Sequence, residues 1–180
     1  MPAPRVFISY SHDSEAHRDW VLSLAAKLRE RGIDAWLDRY EPVPAEGWDV
    51  WMEKQFRHAT FVLLVCTETY RERFEHEAPE GVGNGVRYEA RLVRRYLKKH
   101  GMRNGKVVPV LSENQPADAI PDILDGYQAF CLFAELDGLC QHLLGNGPAP
   151  PPLGEALVQS NGVPGTDEDE VPCSGECPFR

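Results

Sequence analysis

The sequence predicts an α/β domain with an open, parallel sheet, because short apolar strands alternate with amphipathic helices over residues 1–145. An apolar strand at residues 5–10 ends in hydroxyl side chains, and a helix separates it from a second strand at 33–38. The segment 60–66 is continuously apolar, which is typical of a central strand covered on both faces. Together these observations predict a flavodoxin-like open parallel sheet of about five strands with helices on both faces.

The individual elements follow from side-chain periodicity and from the residues that end helices. Apolar residues at helical spacing define one face of the first helix, and Gly32 ends it. Pro109 places the fourth strand near a sheet edge or at a strand end. No helix or strand is predicted for the charged stretch 67–80, and a glycine cluster follows it at 81–85. The predicted strands are 5–10, 33–38, 60–66, 106–111 and 128–133, and the predicted helices are 14–31, 48–58, 86–100 and 134–144, with a short helical piece at 117–125.

Composition and charge narrow the class of protein. The 180 residues carry a net charge of −9, which disfavours nucleic acid as a partner of the domain. No apolar run reaches the length of a membrane helix, so no membrane contact is expected. Residues 1–5 lead straight into a strand and the five cysteines are scattered, so we expect a cytoplasmic, reducing location.

The segment 146–180 differs in composition from the domain that precedes it. It holds seven of the fifteen prolines, five glycines and six acidic residues against one basic residue. Such a segment is predicted to be a flexible linker or tail, and it would join the domain to a sensor domain or a partner. Cys173 and Cys177 have a spacing that is not standard for zinc, so no metal site is predicted.

Three familiar nucleotide- or phosphate-handling folds do not fit. A dinucleotide-binding fold needs its glycine turn directly after the first strand, whereas the glycine cluster here follows residue 80. A phosphoacceptor receiver needs an Asp at the end of the third strand, which here ends in Cys66 and Thr67. The phosphate-binding motif G-x-x-x-x-G-K-[ST] is absent from the sequence.

Several separated blocks, in order, resemble the Toll/interleukin receptor-like (TIR) superfamily, and specifically its SEFIR branch. The resemblance spans about residues 5–135 and includes the blocks VFISYSHD at 6–13, GIDAWLD at 32–38, GWDVWM at 47–52 and GVRYE at 85–89. Members of this superfamily act either as homotypic adaptors or as enzymes that cleave the nicotinamide–ribose bond of NAD. The resemblance implies that Glu89 is the catalytic residue of such an enzyme.

The residues around Glu89 support the same choice without the resemblance. In a helix over 86–100, Glu89 shares an apolar face with Leu92 and Val93, and no basic residue lies three or four positions away. The usual explanation for a helical glutamate, an ion pair along the helix, is therefore missing. A carboxylate on an apolar face near strand ends is a candidate site, and the alternative is a partly buried glutamate that bonds backbone near the glycine turn.

The rest of the pocket is expected at the carboxyl ends of the strands. Backbone amides and hydroxyls there would hold phosphates or ribose, and aromatic rings would stack on a base. His12 is expected in a surface turn. The candidate substrate-binding residues are Ser9, Tyr10, Ser11, Asp38, Arg39, Trp48, Thr67 and Tyr70.

The expected function is that of a NAD+ hydrolase activated by self-association into an oligomer or filament. NAD+ is then the substrate, no cofactor is required, and the product is ADP-ribose or a cyclic nucleotide. The domain with an acidic, proline-rich tail resembles bacterial immune effectors, which implies antiviral defence through NAD depletion or a signal nucleotide. The alternatives are a non-enzymatic homotypic adaptor and transfer of ADP-ribose to another acceptor.

Overall fold

The computed structural model of the protein describes residues 2–75, 84–112 and 115–146. The strands are β1 (Arg5–Tyr10), β2 (Asp34–Trp36), β3 (Phe61–Cys66), β4 (Val107–Leu111) and β5 (Phe130–Cys131). The helices are α1 (Glu15–Glu30), α2 (Trp48–His58), α3 (Glu68–Glu75), α4 (Asn84–Lys99) and α5 (Leu132–Leu143), and single 3₁₀ turns cover Asp38–Tyr40, Ala117–Ala119 and Asp122–Leu124.

All five strands form one parallel sheet in the order β2-β1-β3-β4-β5. The central pairing of β1 with β3 runs from Val6 opposite Phe61 to Tyr10 opposite Val65. The predicted flavodoxin-like α/β fold is therefore confirmed. β2 follows β1 in the chain and pairs with one edge of β1, whereas β3 pairs with its opposite edge, so the direction of the strand order reverses at β1. The carboxyl ends of β1 and β3 thus border the crevice where open α/β sheets bind ligands.

Helix α1 shows how local sequence starts and stops an element. Its N-cap is Ser14, whose hydroxyl accepts a hydrogen bond from the His17 amide at 3.1 Å. The helix ends where Gly32 adopts a φ of +80°, a conformation that glycine takes without strain. The Ile33 amide donates back to the Leu28 carbonyl across this turn, so the chain enters β2 directly.

Alternation along β1 divides the core into two layers. Val6, Ile8 and Tyr10 face α1 and α5, whereas Phe7 faces the layer of α2, α3 and α4. Ser9 follows the same alternation and so points to the side of α4. The side chains of β3 are almost completely buried, as expected for a central strand covered on both faces.

Helix α3 was not expected from the charged stretch that follows β3. Its eight residues bury only Tyr70 and Phe74, four positions apart, while the other side chains are exposed or partly exposed. Arg71 pairs with Glu75 and Asp122 on the outer face, so several charges of this stretch form ion pairs. Two apolar anchors at helical spacing are therefore enough to hold this helix against the sheet.

β4 lies between β3 and the edge strand β5, which agrees with the prediction of a strand near a sheet edge, and Pro109 stands in the middle of β4 rather than at its end. β5 is only two residues long and pairs with Val110 and Leu111, so Pro109 lies beyond the end of that pairing. A proline is tolerated there because the ladder to β5 has not yet begun. The predicted fifth strand at 128–133 was too long, since β5 has only two residues. The predicted helical piece at 117–125 consists of two 3₁₀ turns.

The glycine cluster lies largely outside the described residues, as does all but the first residue of the predicted 146–180 tail. The predicted boundary between domain and tail, and the role of the tail as a linker, stay predictions. None of the helices in the described part of the chain is long and apolar enough to cross a membrane.

Candidate functional site at the carboxyl ends of β1 and β3

The site is centred on Glu89, which α4 directs toward the end of β1. Glu89 is buried, with 6% of its surface exposed, among the apolar residues that attach α4 to the sheet. The Ser9 hydroxyl on β1 donates a short hydrogen bond to Glu89 Oε2. The apolar surroundings come from the same periodicity that identified Glu89 in the sequence. The helix face that buries Val86 and Val93 also carries the carboxyl group into the interior.

Behind Ser9, a second hydroxyl completes a buried chain of hydrogen bonds. Tyr70 on α3 is fully buried, and its hydroxyl lies 2.8 Å from Ser9 Oγ. Because the one proton of Ser9 is given to Glu89, Tyr70 must donate to Ser9. The order is therefore Tyr70 to Ser9 to Glu89, and it fixes the orientation of the carboxyl group from two other elements of the fold.

Burial dominates the ionisation of Glu89. Removal of the carboxylate from water raises its pKa to about 8, the hydrogen bond from Ser9 opposes this shift, and the negative charge of Asp38 adds to it. A pKa of about 8 makes Glu89 mostly uncharged at neutral pH in the free protein. A cation placed beside it would favour the ionised form.

Asp38, in the 3₁₀ turn after β2, has the opposite character. The Tyr10 hydroxyl donates to Asp38 Oδ1 at 2.7 Å, and His12 Nε2 lies 2.8 Å from Oδ2. Burial alone would raise the pKa of Asp38, but the hydrogen bonds from His12 and Tyr10 outweigh it and hold the pKa below its usual value. The site thus contains one carboxylate that is charged and one carboxyl that is mostly neutral.

A third group of hydrogen bonds ties the loop after β1 to the start of α3. The Thr67 hydroxyl donates to Asp13 Oδ2 at 2.7 Å and accepts from the Tyr70 amide at 3.0 Å. Ser11 Oγ lies 3.2 Å from Thr67 Oγ1, and since the Thr67 proton goes to Asp13, Ser11 is the donor. These bonds hold the two strand ends at a fixed separation.

An open cleft of about 710 Å³ lies over these groups, within the range of about 300–1,000 Å³ that ligand pockets occupy. Trp48 is 41% exposed at its mouth and contacts the buried Trp51 edge-to-face, with ring centroids 5.6 Å apart. The lining therefore combines aromatic and apolar groups with hydroxyl and charged groups. The described residues that line the cleft are Phe7, Ile8, Tyr10, Ser11, His12, Asp38, Trp48, Asp49, Trp51, Met52, Arg73, Gly85, Val86 and Glu89.

The structure separates the sequence-predicted residues into three groups. Five of them line the cleft: Tyr10, Ser11, Asp38, Trp48 and Glu89. Ser9, Thr67 and Tyr70 lie behind the cleft, where their hydroxyls bond protein groups. Arg39 does not line the cleft and instead bonds Asp19 at 2.8 Å, with Glu15 of the same helix at 3.7 Å. Their roles toward a substrate stay predictions.

Sequence reasoning missed several residues that line the cleft. His12 lies in an exposed loop, as expected, but its contribution to the cleft and its bond to Asp38 were not expected. Arg73 was hidden in the charged stretch, although its position three residues after the buried Tyr70 would have placed it beside the site once a helix was assumed. Within residues 2–75, 84–112 and 115–146, no three His, Cys, Asp or Glu side chains come together as metal ligands.

Comparison with known proteins agrees with this architecture. The chain matches the family model of the TIR domain over residues 6–144. It is similar to the crystal structure of a prokaryotic SEFIR domain, with 25% identity and a TM-score of 0.59, over 85% of this chain and 100% of that chain. The SEFIR domain of the IL-17 receptor B shares the fold at 13% identity and a TM-score of 0.60, over 81% of this chain and 97% of that chain.

A search of curated protein sequences finds no match. The family model covers the full span from β1 to α5, and both similar structures are SEFIR domains. The resemblance read from the sequence blocks is confirmed by these matches. The chain belongs to the TIR domain family, in the SEFIR branch of the superfamily.

Proposed function

We propose that this domain hydrolyses NAD+ at the bond between nicotinamide and ribose, with Glu89 as the catalytic residue. The single observation that carries the proposal is a buried carboxyl, held by Ser9 and Tyr70, that opens into a cleft at the β1/β3 crevice. A buried carboxyl with a raised pKa that lines a ligand-sized cleft is a candidate catalytic group. NAD+ is consumed as the substrate, and the reaction needs no further cofactor.

The chemistry requires little beyond a fixed negative charge. When the C1′–N bond breaks, its electron pair goes to the ring nitrogen, so nicotinamide leaves as a neutral molecule and the ribose carries the positive charge. Glu89, ionised beside this centre, stabilises the oxocarbenium-like ribose. Water then adds to C1′ and releases a proton, which gives ADP-ribose. Attack by the adenine ring of the same molecule would give a cyclic product instead.

The pKa of Glu89 fits this substrate. The carboxyl is mostly protonated at neutral pH in the free protein, but the cationic nicotinamide ring would lower its pKa and favour ionisation on binding. Trp48 and Trp51 offer ring faces and edges for the nicotinamide or adenine. Tyr10 and Ser11 line the same cleft and would contact the ribose, whereas Ser9 and Tyr70 act through Glu89.

Self-association is the second part of the proposal. Homotypic contacts are the common property of TIR and SEFIR domains, and an assembled state would hold the cleft in its active form. The loop and helix beside the cleft expose apolar side chains to water, with Val43 83% and Val50 46% exposed. These side chains are the expected contact points between copies. In a cell, activation by assembly would deplete NAD+ or produce a nucleotide signal, which suits an antiviral defence role in the cytoplasm.

The same exposed residues favour a second candidate, a non-enzymatic adaptor that signals through homotypic contacts alone. In that case Glu89 would only orient α4 on the sheet. The two candidates differ in one observable, the release of nicotinamide by the assembled protein.

The experiment measures nicotinamide release from NAD+ across a range of protein concentrations, with and without a crowding agent, while sedimentation reports assembly. Glu89→Gln should lower the rate at least about 100-fold, the size expected when one electrostatic stabiliser of the transition state is removed. Glu72→Gln, an exposed acid on α3, is the matched control and should leave the rate unchanged. Equal rates for wild type and Glu89→Gln would overturn the site. Assembly without any turnover would favour the adaptor.

A further inference from the structure

Arg73 differs from the other arginines of the domain in its combination of burial and partners. Its side chain is partly buried and lines the cleft, yet no hydrogen bond or ion pair joins it to any residue in the described part of the chain. Arg71, two positions earlier on α3, bonds Glu75, Asp122 and the Asp118 carbonyl. Partly buried guanidinium groups are normally satisfied by a protein or ligand acceptor.

The position of Arg73 on α3 places it beside the reactive carboxyl. Residues three apart on a helix have Cβ atoms about 5–6 Å apart, so Arg73 is a neighbour of Tyr70 on the helix surface. Tyr70 reaches Glu89 through Ser9 alone. Arg73 and Glu89 also line the same cleft, so a ligand that fills the cleft can contact both groups.

The cleft contains both acidic and basic side chains, which suits a ligand that carries a positive and a negative group. Asp38, Asp49 and Glu89 supply acidic groups, and Arg73 is the one permanently charged cation among the described lining residues. Acidic groups suit a cationic ring, but they repel phosphates. An anionic part of the ligand must therefore be placed at Arg73, whose planar donors match phosphate oxygens in a bidentate manner.

We propose that Arg73 binds the diphosphate of a dinucleotide substrate and so makes the cleft selective for dinucleotides over nucleosides. The inference rests on the proposed function, because it assigns Arg73 the phosphate end of the molecule whose ribose end faces Glu89. It also replaces the hydroxyls of Ser9 and Ser11 as the principal phosphate contacts, since both hydroxyls are engaged inside the protein.

The test compares two substrates that share the reactive bond. Nicotinamide riboside has the same nicotinamide–ribose bond as NAD+ but no diphosphate. Arg73→Gln should raise the KM for NAD+ by about 10- to 100-fold, the range expected for charge-assisted hydrogen bonds, and leave kcat/KM for nicotinamide riboside within about twofold. Arg73→Lys should recover part of the loss. Arg103→Gln, at an exposed position, is the control and should change neither substrate.

A binding measurement tests the role of Arg73 even if the protein does not turn over NAD+. Isothermal titration of ADP, which has a diphosphate but no nicotinamide, should show binding to wild type and to Arg103→Gln and a 10-fold or greater loss in Arg73→Gln, about the same range as above. If wild type binds ADP in this manner but releases no nicotinamide, the proposed function fails and the diphosphate site stands. The inference would be overturned if Arg73→Gln lowered kcat/KM equally for NAD+ and nicotinamide riboside. It would also be overturned if wild type did not bind ADP, or if Arg73→Gln bound ADP as tightly as wild type.

Discussion

Replacement of Glu89 with glutamine should change how the stability of the domain depends on pH, and this effect does not depend on any activity. Glutamine has the size of a protonated glutamate and accepts the same hydrogen bond from Ser9. It cannot ionise. The variant therefore retains the packing of Glu89 and removes only the cost of a buried negative charge.

The magnitude follows from the two pKa values of the carboxyl. The pKa is 4.5 when the group is exposed and about 8 in the folded domain. Below pH 4.5 Glu89 is protonated in both the folded and the unfolded state, so its raised pKa takes nothing from the free energy of unfolding. As pH rises, the unfolded chain releases its proton first, and the free energy of unfolding falls by up to ~1.4 kcal/mol per pH unit until the folded carboxyl ionises near pH 8. Between pH 5 and pH 8 the loss amounts to roughly 3–4 kcal/mol.

Urea unfolding followed by tryptophan fluorescence at pH 5, 6, 7 and 8 measures this loss. The quantity of interest is the difference between wild type and Glu89→Gln, because all other titrating groups are common to both. From pH 5 to pH 8, the free energy of unfolding of the variant should rise relative to that of wild type by roughly 3–4 kcal/mol. Glu72→Gln should show no such trend. A difference that stays constant from pH 5 to pH 8 would refute the reasoning, since it would mean that Glu89 is hydrated or ionised in the folded state.

Three further predictions follow from the same contacts. If ionised Glu89 is required, kcat/KM for NAD+ should rise with pH up to about 8 and then level off, and a flat profile from pH 6 to pH 9 would contradict this role. Tyr70→Phe should remove the donor to Ser9, lower stability by about 1–3 kcal/mol and reduce kcat more than it raises KM; unchanged kcat in the folded variant would remove Tyr70 from the positioning of Glu89. Ser14→Ala should lower the free energy of unfolding by about 1 kcal/mol in urea titrations, because the N-cap of α1 is lost, and a change under 0.3 kcal/mol would deny the cap that value.

Much of the site could be predicted because it follows from periodicity and from parallel topology. Parallel strands end at one edge of the sheet, so the polar residues after β1, β2 and β3 had to meet there. Glu89 was identifiable because its helical neighbours are apolar and none is basic, and the structure places it on that apolar face beside β1.

The missed features depend on contacts between segments far apart in the chain. The side of the cleft formed by α3 was hidden because a short, charged helix is stabilised by two buried side chains and by ion pairs to Asp122, 51 positions from Arg71. The bond between His12 and Asp38 joins two different loops that lie 26 positions apart in the chain. Pro109 is tolerated in the middle of β4 because β5 is short, and the length of β5 comes from packing rather than from the sequence near the proline.

The alternation of β1 has a consequence for how the proposed activity would be lost on heating. Ser9 and Tyr10 are adjacent, yet one reaches Glu89 and the other reaches Asp38 on opposite faces of the same strand. Five paired residues between β1 and β3 hold this alignment, and four of the five in β1 are also core residues. Loss of this alignment between the Ser9 and Tyr10 hydroxyls therefore requires melting of β1. Thermal inactivation and loss of the sheet should coincide, whereas a site built on loops would fail at a lower temperature.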